Sequence, residues 1–418
     1  MVLSNAVIYQ PAGTDSDRRR RRRILLYSHD GGGLGHVRIM LGVGTALAHR
    51  LPEDTVLLLT GSNHVSGASL PETMDFVKLP SMPHRGLYVD LPGAASPPSD
   101  FKEVLYFREQ VAYSTITAFN PDLLVVDHAP GGLLRELARS LAWIGTHAPT
   151  TKRALLMRDI TFGAEQTKAI WSAEGAYPLM DDFYDRILVY GSQEVFDPIA
   201  EYGMSAAAAA KTEFVGYLTP RAALRTPDQV RHDLGIGNAR LIAVSAGGGA
   251  DGMAVLQAFV AGFAAHAPAD VVAYVVTGPM MPAKDEAALR SAAHGLPDLR
   301  LVSYDDDFLG VTQAADVVVG MGGYNSMTEA VFCGKRAVTV PRVPGPEEQV
   351  LRVHRFDERG LLRAVLPSDL SSATLWAAVN AELESGTSIP LHRLPVGGQD
   401  KIVDALVDML GAEIPATR

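Results

Sequence analysis

Two histidines stand beside bare backbone in YSHDGGGLGHVRIM, residues 27–40: His29 and His36, with Gly31, Gly32, Gly33 and Gly35 between them. A glycine loop that opens a helix presents backbone N–H groups to an anion. A neutral imidazole is a competent general base near pH 7. His36 falls at an expected helix start, where the positive end of the dipole disfavours imidazolium. The residue types therefore allow a neutral base beside an anion, and a plain helix cap fits His36 as well. His29 reads either as a core histidine or as a wall of the acceptor space. No HxxxH or CxxC spacing is present, and Asp127-His128 supplies two ligands at most, so no metal is expected.

A second constellation lies at GMGGYNSMTE, residues 320–329. Gly322 and Gly323 end an apolar run, and Asn325, Ser326 and Thr328 are expected to cap the helix that follows. Its first N–H groups would form an anion site. Glu329, one turn in, would repel a phosphate but is placed to accept both hydroxyls of a ribose; a simple first-turn acid is the alternative. A third glycine loop, SAGGG at 245–249, lets the N–H groups of Gly247, Gly248 and Gly249 approach an anion.

Spacing sets two enzyme classes aside. A dinucleotide fingerprint needs a third glycine where His36 stands, and an acid after the second strand, which ends Thr60-Gly61-Ser62-Asn63. No lysine follows as in a P-loop. Ala243 to Gly247 is a degenerate nucleophile elbow around Ser245. An α/β hydrolase has a single sheet, however, whereas the strand rhythm of this chain starts twice.

The elements that must carry these loops follow that rhythm. Strands are expected at 23–27, 55–61, 76–80, 121–128, 153–160, 186–192 and 212–219, with helices at 37–49 and 101–119. The pattern then restarts with a strand running into glycines at 240–249, strands at 271–278, 299–304 and 336–342, a further strand-to-glycine-loop junction at 315–326, and helices at 251–266, 326–333 and 398–411. The fold class is α/β, with two Rossmann-like doubly wound domains facing a central cleft. The expected divisions are an Arg-rich disordered tail (1–23), an acceptor-binding domain (24–218) and a donor-binding domain (219–385). A C-terminal helical segment (386–418) would pack back on the first domain. Ligands of such sheets sit at the carboxyl ends of the strands, where the glycine loops fall.

Composition narrows the partners. At 418 residues the chain exceeds one ordinary core. A net charge of −10 argues against a nucleic-acid-binding body, although Arg18–Arg23 leaves peripheral contact with anionic membrane open. The single cysteine, Cys333, suits a reducing, cytoplasmic setting and is expected buried. Asp305 to Asp307 reads as a solvated turn.

With these residues assembled, the sequence resembles the GT-B glycosyltransferases of the MurG-like family 28 over most of 24–385. The resemblance is strongest at 300–350, LVSYDDDFLGVTQAADVVVGMGGYNSMTEAVFCGKRAVTVPRVPGPEEQ, and GGGLGH is similar to the family's N-terminal glycine loop. It implies that Glu329 binds the ribose. Gly322, Gly323, Asn325 and Ser326 would hold the diphosphate, and Glu348 and Gln349 would contact the donor sugar. The main chain at Tyr304-Asp305 would read the base, and Gly247–Gly249 would line the donor cleft. Gly33, Gly35 and His36 would flank the acceptor and the leaving diphosphate, with His29 and His128 on the acceptor side. His36 becomes the candidate base and Asp127 its orienting acid. The GGYNS loop, where the MurG pattern has Gly-Ala and no Asn, is closer to a bacterial subgroup carrying GGYN, so a lipid-linked muramyl acceptor is not implied.

The expected activity is metal-independent, inverting transfer of a sugar, hexosyl in type, from a nucleoside-diphosphate donor such as a UDP-sugar to a hydroxyl of a small molecule or glycan. No cofactor is required. The competing expectations are a nucleotide-sugar 2-epimerase, a pseudoglycosyltransferase, and a catalytically silent nucleotide-sugar-binding protein.

Overall fold

The structure, a computed structural model, describes residues 20–29, 35–82, 99–218, 223–342, 347–386 and 394–411. Two wholly parallel sheets organise it. The first has seven strands: β1 (Arg23–Tyr27), β2 (Thr55–Thr60), β3 (Met74–Lys78), β4 (Leu123–Asp127), β5 (Lys152–Arg158), β6 (Arg186–Tyr190) and β7 (Thr212–Phe214). They lie in the order β3-β2-β1-β4-β5-β6-β7. The second has six: β8 (Arg240–Ser245), β9 (Val271–Val276), β10 (Leu299–Val302), β11 (Val317–Gly320), β12 (Arg336–Thr339) and β13 (Arg363–Ala364). Their order is β10-β9-β8-β11-β12-β13.

Helices cover the faces of the first sheet: α1 (Gly35–Arg50), α2 (Ser99–Phe119), α3 (Ala138–His147) and α4 (Ala164–Glu174), with short turns α5 (Ala176–Pro178), α6 (Pro198–Glu201) and α7 (Ala206–Ala210). The second half contributes α8 (Pro227–Leu234), α9 (Met253–His266), α10 (Ala283–Ala292), α11 (Phe308–Ala314), α12 (Tyr324–Phe332), α13 (Glu347–Asp357) and α14 (Ser372–Ser385). The last helix, α15 (Gly398–Met409), lies against α1. There Gln399 donates to the Gly42 carbonyl and Arg50 pairs with Asp404, while Arg186, at the start of β6, pairs with Asp408.

The strands form because both sheet faces are covered, so each central strand is apolar throughout. Ile24, Leu25, Leu26 and Tyr27 of β1 are all fully buried, each contributing about 1.5–3 kcal/mol of burial. Strand ends fall short of the sequence reading. The stretch expected to run to 219 pairs only over Thr212–Phe214. Beyond it Gly216 turns at φ 87°, and Tyr217 bonds instead to the Pro395 carbonyl. The arginine run is not wholly a tail: Arg22 donates to Asp54 and Arg23 to Asp122 through its backbone. Arg18 and Arg19 lie outside the described residues. No helix among those described is long and apolar enough to cross a membrane.

Candidate active site

The carboxyl ends of β1, β4 and β5 bring His29, Asp127, His128 and Arg158 together, and the first turn of α1 adds His36. The three imidazole rings form a cluster with centroids 4.9–5.1 Å apart. His36 Nδ1 lies 2.7 Å from Asp127 Oδ2, leaving Nε2 as the nitrogen the carboxylate does not take. The His29 backbone N–H donates to the same carboxylate oxygen at 3.2 Å, and the Tyr190 hydroxyl donates to the other at 3.4 Å. Asp127 is fully buried at the end of its strand, so it is fixed rather than mobile. His128 follows it at φ 69°, a left-handed conformation, with its ring against those of His29 and His36.

All three histidines are held well below the ordinary imidazole range. For His36 burial is the main cause and the Arg158 charge the second. The sequence reading assigned this neutrality to the helix dipole; desolvation and a buried arginine outweigh it. Burial also pushes the Asp127 carboxyl up, against the opposing pull of the histidines and Arg158. A neutral imidazole bonded to a fixed carboxylate through Nδ1 is in the tautomer that can accept a proton at Nε2.

Across the cleft, α12 starts at Tyr324 with Gly323 as its N-cap and no side chain capping it. Asn325, Ser326 and Thr328 therefore do not cap the helix; they sit inside its first turns. Ser326 donates back to the Gly323 carbonyl, and Thr328 to those of Tyr324 and Asn325. The opening N–H groups of α12 are left for an external acceptor. Gly322 takes φ 74°, and a Cβ there would stand 2.7 Å from Val353 Cγ2. A cavity under this turn is lined by Ser245, Gly320, Gly322, Ser326, Glu329 and Thr339. Glu329 is raised by burial and partly offset by Arg38, 3.5 Å away on α1.

The other predicted donor residues fall in different surroundings. Gly247–Gly249 and Gly278 interlock, with Met280 N–H donating to the Gly248 carbonyl at 2.8 Å. Glu348 is held between two arginines, Arg158 at 3.1 Å and Arg352 at 2.8 Å. These charges outweigh burial and keep its carboxyl below the usual range. Gln349 accepts from the Arg342 backbone N–H. Tyr304 is 65% exposed. Asp305 and Asp307 are not a solvated turn: their side chains are tucked in and clamp Arg225, because that arginine ties the linker after β7 to the second sheet. Cys333 is only partly buried, its thiol pushed up to about 11 by desolvation. Gly33 lies outside the described residues. Gly35 is described, and its bare Cα faces Arg158 and Asn325.

Sequence reasoning missed Arg38, Arg158, Tyr190 and Arg352. The one available signal, for Arg158, was a charged residue closing the apolar run ALLM of β5. Tyr324 was also missed as a link between the halves. Its ring faces Arg158 and Arg352 at 5.9 and 5.5 Å, and its hydroxyl donates to the Tyr190 carbonyl.

Residues 244–390 match the family described as Glycosyltransferase family 28 C-terminal domain. No curated protein matches the sequence. Among solved structures, the calicheamicin glycosyltransferase CalG4 superposes with a TM-score of 0.62 at 17% identity, over 95% of this chain and 100% of that one. MurG of Acinetobacter baumannii gives 0.61 at 11% identity, over 93% and 99%. A Listeria monocytogenes protein assigned as a UDP-N-acetylglucosamine 2-epimerase gives 0.59 at 14%, over 95% and 99%. The two parallel sheets with their helices thus share the GT-B fold.

Proposed function

We propose that the chain is a glycosyltransferase that moves a sugar, hexosyl in type, from a nucleoside-diphosphate donor to a hydroxyl acceptor with inversion. The observation that carries the reading is the His36–Asp127 pair facing the uncapped start of α12 across one cleft. The family-28 match over the second half supports a donor-binding role there. Glu329 takes the ribose hydroxyls, and the N–H groups opening α12 take the diphosphate. Glu348 and Gln349 lie on the sugar side.

In the reaction His36 Nε2 accepts the proton of the acceptor hydroxyl. The oxygen forms its bond to the anomeric carbon as the bond to the diphosphate breaks, and that electron pair leaves on the phosphate oxygen. Asp127 holds His36 in orientation and stabilises the imidazolium that forms. Helix N–H groups facing the leaving diphosphate supply the electrostatic part. No metal is needed in this scheme.

The test is a thermal-shift screen of UDP, dTDP, GDP and ADP, followed by transfer assays with the matching sugar donors. Binding of none of the four would end the reading. The second reading is a 2-epimerase. The cluster of three neutral histidines over one carboxylate favours it, because epimerisation needs several acid–base groups around one sugar. Turnover of a nucleotide sugar with no acceptor present would select it.

A further inference from the structure

A diphosphate entering this cleft carries more negative charge than one helix terminus can balance, and a cation facing α12 from the opposite wall would complete the site. Arg158 is so placed. It closes β5 at the cleft, with its side chain 13% exposed. Its Nη2 and the Asn325 Nδ2 lie 2.9 and 3.8 Å from the point a Cβ on Gly35 would occupy. The guanidinium, the first turn of α1 and the first turn of α12 therefore share one small region, and glycine at position 35 keeps it open.

The guanidinium also has donors to spare. Glu348 takes Nη1 and the Tyr190 hydroxyl a further N–H, while Nε is buried with no partner. Glu348 does not depend on Arg158: the same carboxylate oxygen is held by Arg352 at 2.8 Å. Arg158 can leave that oxygen without stranding a buried charge. Its planar fork matches phosphate oxygens in a way a lysine does not.

We infer that Arg158 is a catalytic residue that binds the diphosphate of the donor, exchanging Glu348 for phosphate oxygens when the donor enters. This rests on the glycosyltransferase reading above. As the glycosidic bond breaks, its electron pair stays on the phosphate oxygen, and Arg158 pairs with the charge that appears there. Because Arg158 stands on the first sheet and α12 follows a strand of the second, the diphosphate bridges the two halves.

The experiment compares wild type, Arg158→Ala and Arg158→Lys by calorimetry. The probe is whichever of UDP, dTDP, GDP and ADP binds wild type, set against its own monophosphate. Arg158→Ala is expected to weaken the diphosphate about 10- to 100-fold and the monophosphate much less, with guanidinium added to the buffer restoring part of the loss in donor turnover. Arg158→Lys is expected to keep the fold and lose an intermediate amount, and it decides the matter if the alanine variant does not fold. Equal weakening of both nucleotides, or an unchanged diphosphate preference with only the acceptor KM altered, would overturn the inference. If wild type binds no diphosphate at all, the underlying glycosyltransferase reading fails instead.

Discussion

Arg38 and Glu329 meet across the cleft at 3.5 Å, one from the first turn of α1 and the other from the second turn of α12. The carboxylate proposed to take the ribose is thus already occupied by a cation from the opposite wall. The Arg38 side chain is 58% exposed, so the pair contributes about 0–1 kcal/mol and is readily displaced.

Glu329→Gln should weaken nucleoside-diphosphate binding by about tenfold or more through the loss of charged hydrogen bonds. Arg38→Ala should leave it unchanged or tighten it by up to about fivefold, since it removes a competitor worth at most about 1 kcal/mol. Calorimetry on both variants checks this. Matching losses would show that Arg38 helps the ligand rather than competing with it.

Asp127→Asn replaces the acceptor of the His36 Nδ1 proton with an amide that can present N–H to it. The imidazole then loses its preferred tautomer, and turnover should fall about 100- to 10,000-fold. His36→Ala should abolish transfer. Donor affinity should stay within about twofold of wild type in both, a threshold set by binding differences under about 0.5 kcal/mol. Single-turnover transfer and donor titration separate the two effects.

Stability should fall on acidification because of the histidine cluster. The folded-state pKa of each ring lies well below its unfolded value of about 6.5. Below that value the unfolded chain binds protons that the folded chain refuses, at about 1.4 kcal/mol per pH unit per ring. The raised carboxyl of Asp127 acts in the opposite sense. The informative quantity is therefore the difference made by one ring. His128→Asn tolerates the left-handed backbone and should flatten the dependence between pH 6.5 and 5.5 by about 1 kcal/mol. Denaturant midpoints across that window measure it; parallel curves would show that His128 is not held neutral.

Gly249 has φ 90°, and a Cβ there would overlap the Thr277 carbonyl oxygen and the Gly278 backbone. Gly249→Ala should destabilise by about 1–3 kcal/mol from the backbone alone, with more from the overlap. Gly237, at φ 52° with open space around its Cβ position, should cost only about 1 kcal/mol when changed to alanine. Urea unfolding of both variants tests the contrast.

Much of the fold was legible because parallel strands covered on both faces are continuous apolar runs, as in LLVVD and VVAYVV. Strand ends were over-read because the loops beyond them stay small and apolar. The start of α12 was misplaced because Gly323 caps it through backbone alone, with no Ser, Thr or Asn signal at that position. His36 could be singled out by its glycines, but its bond to Asp127 spans 91 residues of sequence and is set by the β1–β4 pairing. Arg352 and the Arg225 clamp gave no local pattern, and Arg158 offered only its place at the end of an apolar run. Such arginines take their meaning from partners elsewhere in the chain, here Glu348, Asp305 and Asp307.

The contact of α15 with α1 has a consequence for synthesis. The face of α1 carrying Gly42 and Arg50 leaves the ribosome well before its covering residues, Gln399 and Asp404, which follow their partners by 357 and 354 residues. The first half must wait, incompletely covered, until α15 has been made, with Gly398 donating to the Tyr217 carbonyl only then. A nascent chain halted after residue 218 should show faster amide exchange in α1 than the finished protein. Equal protection in the two would mean that the early half matures without its late partner.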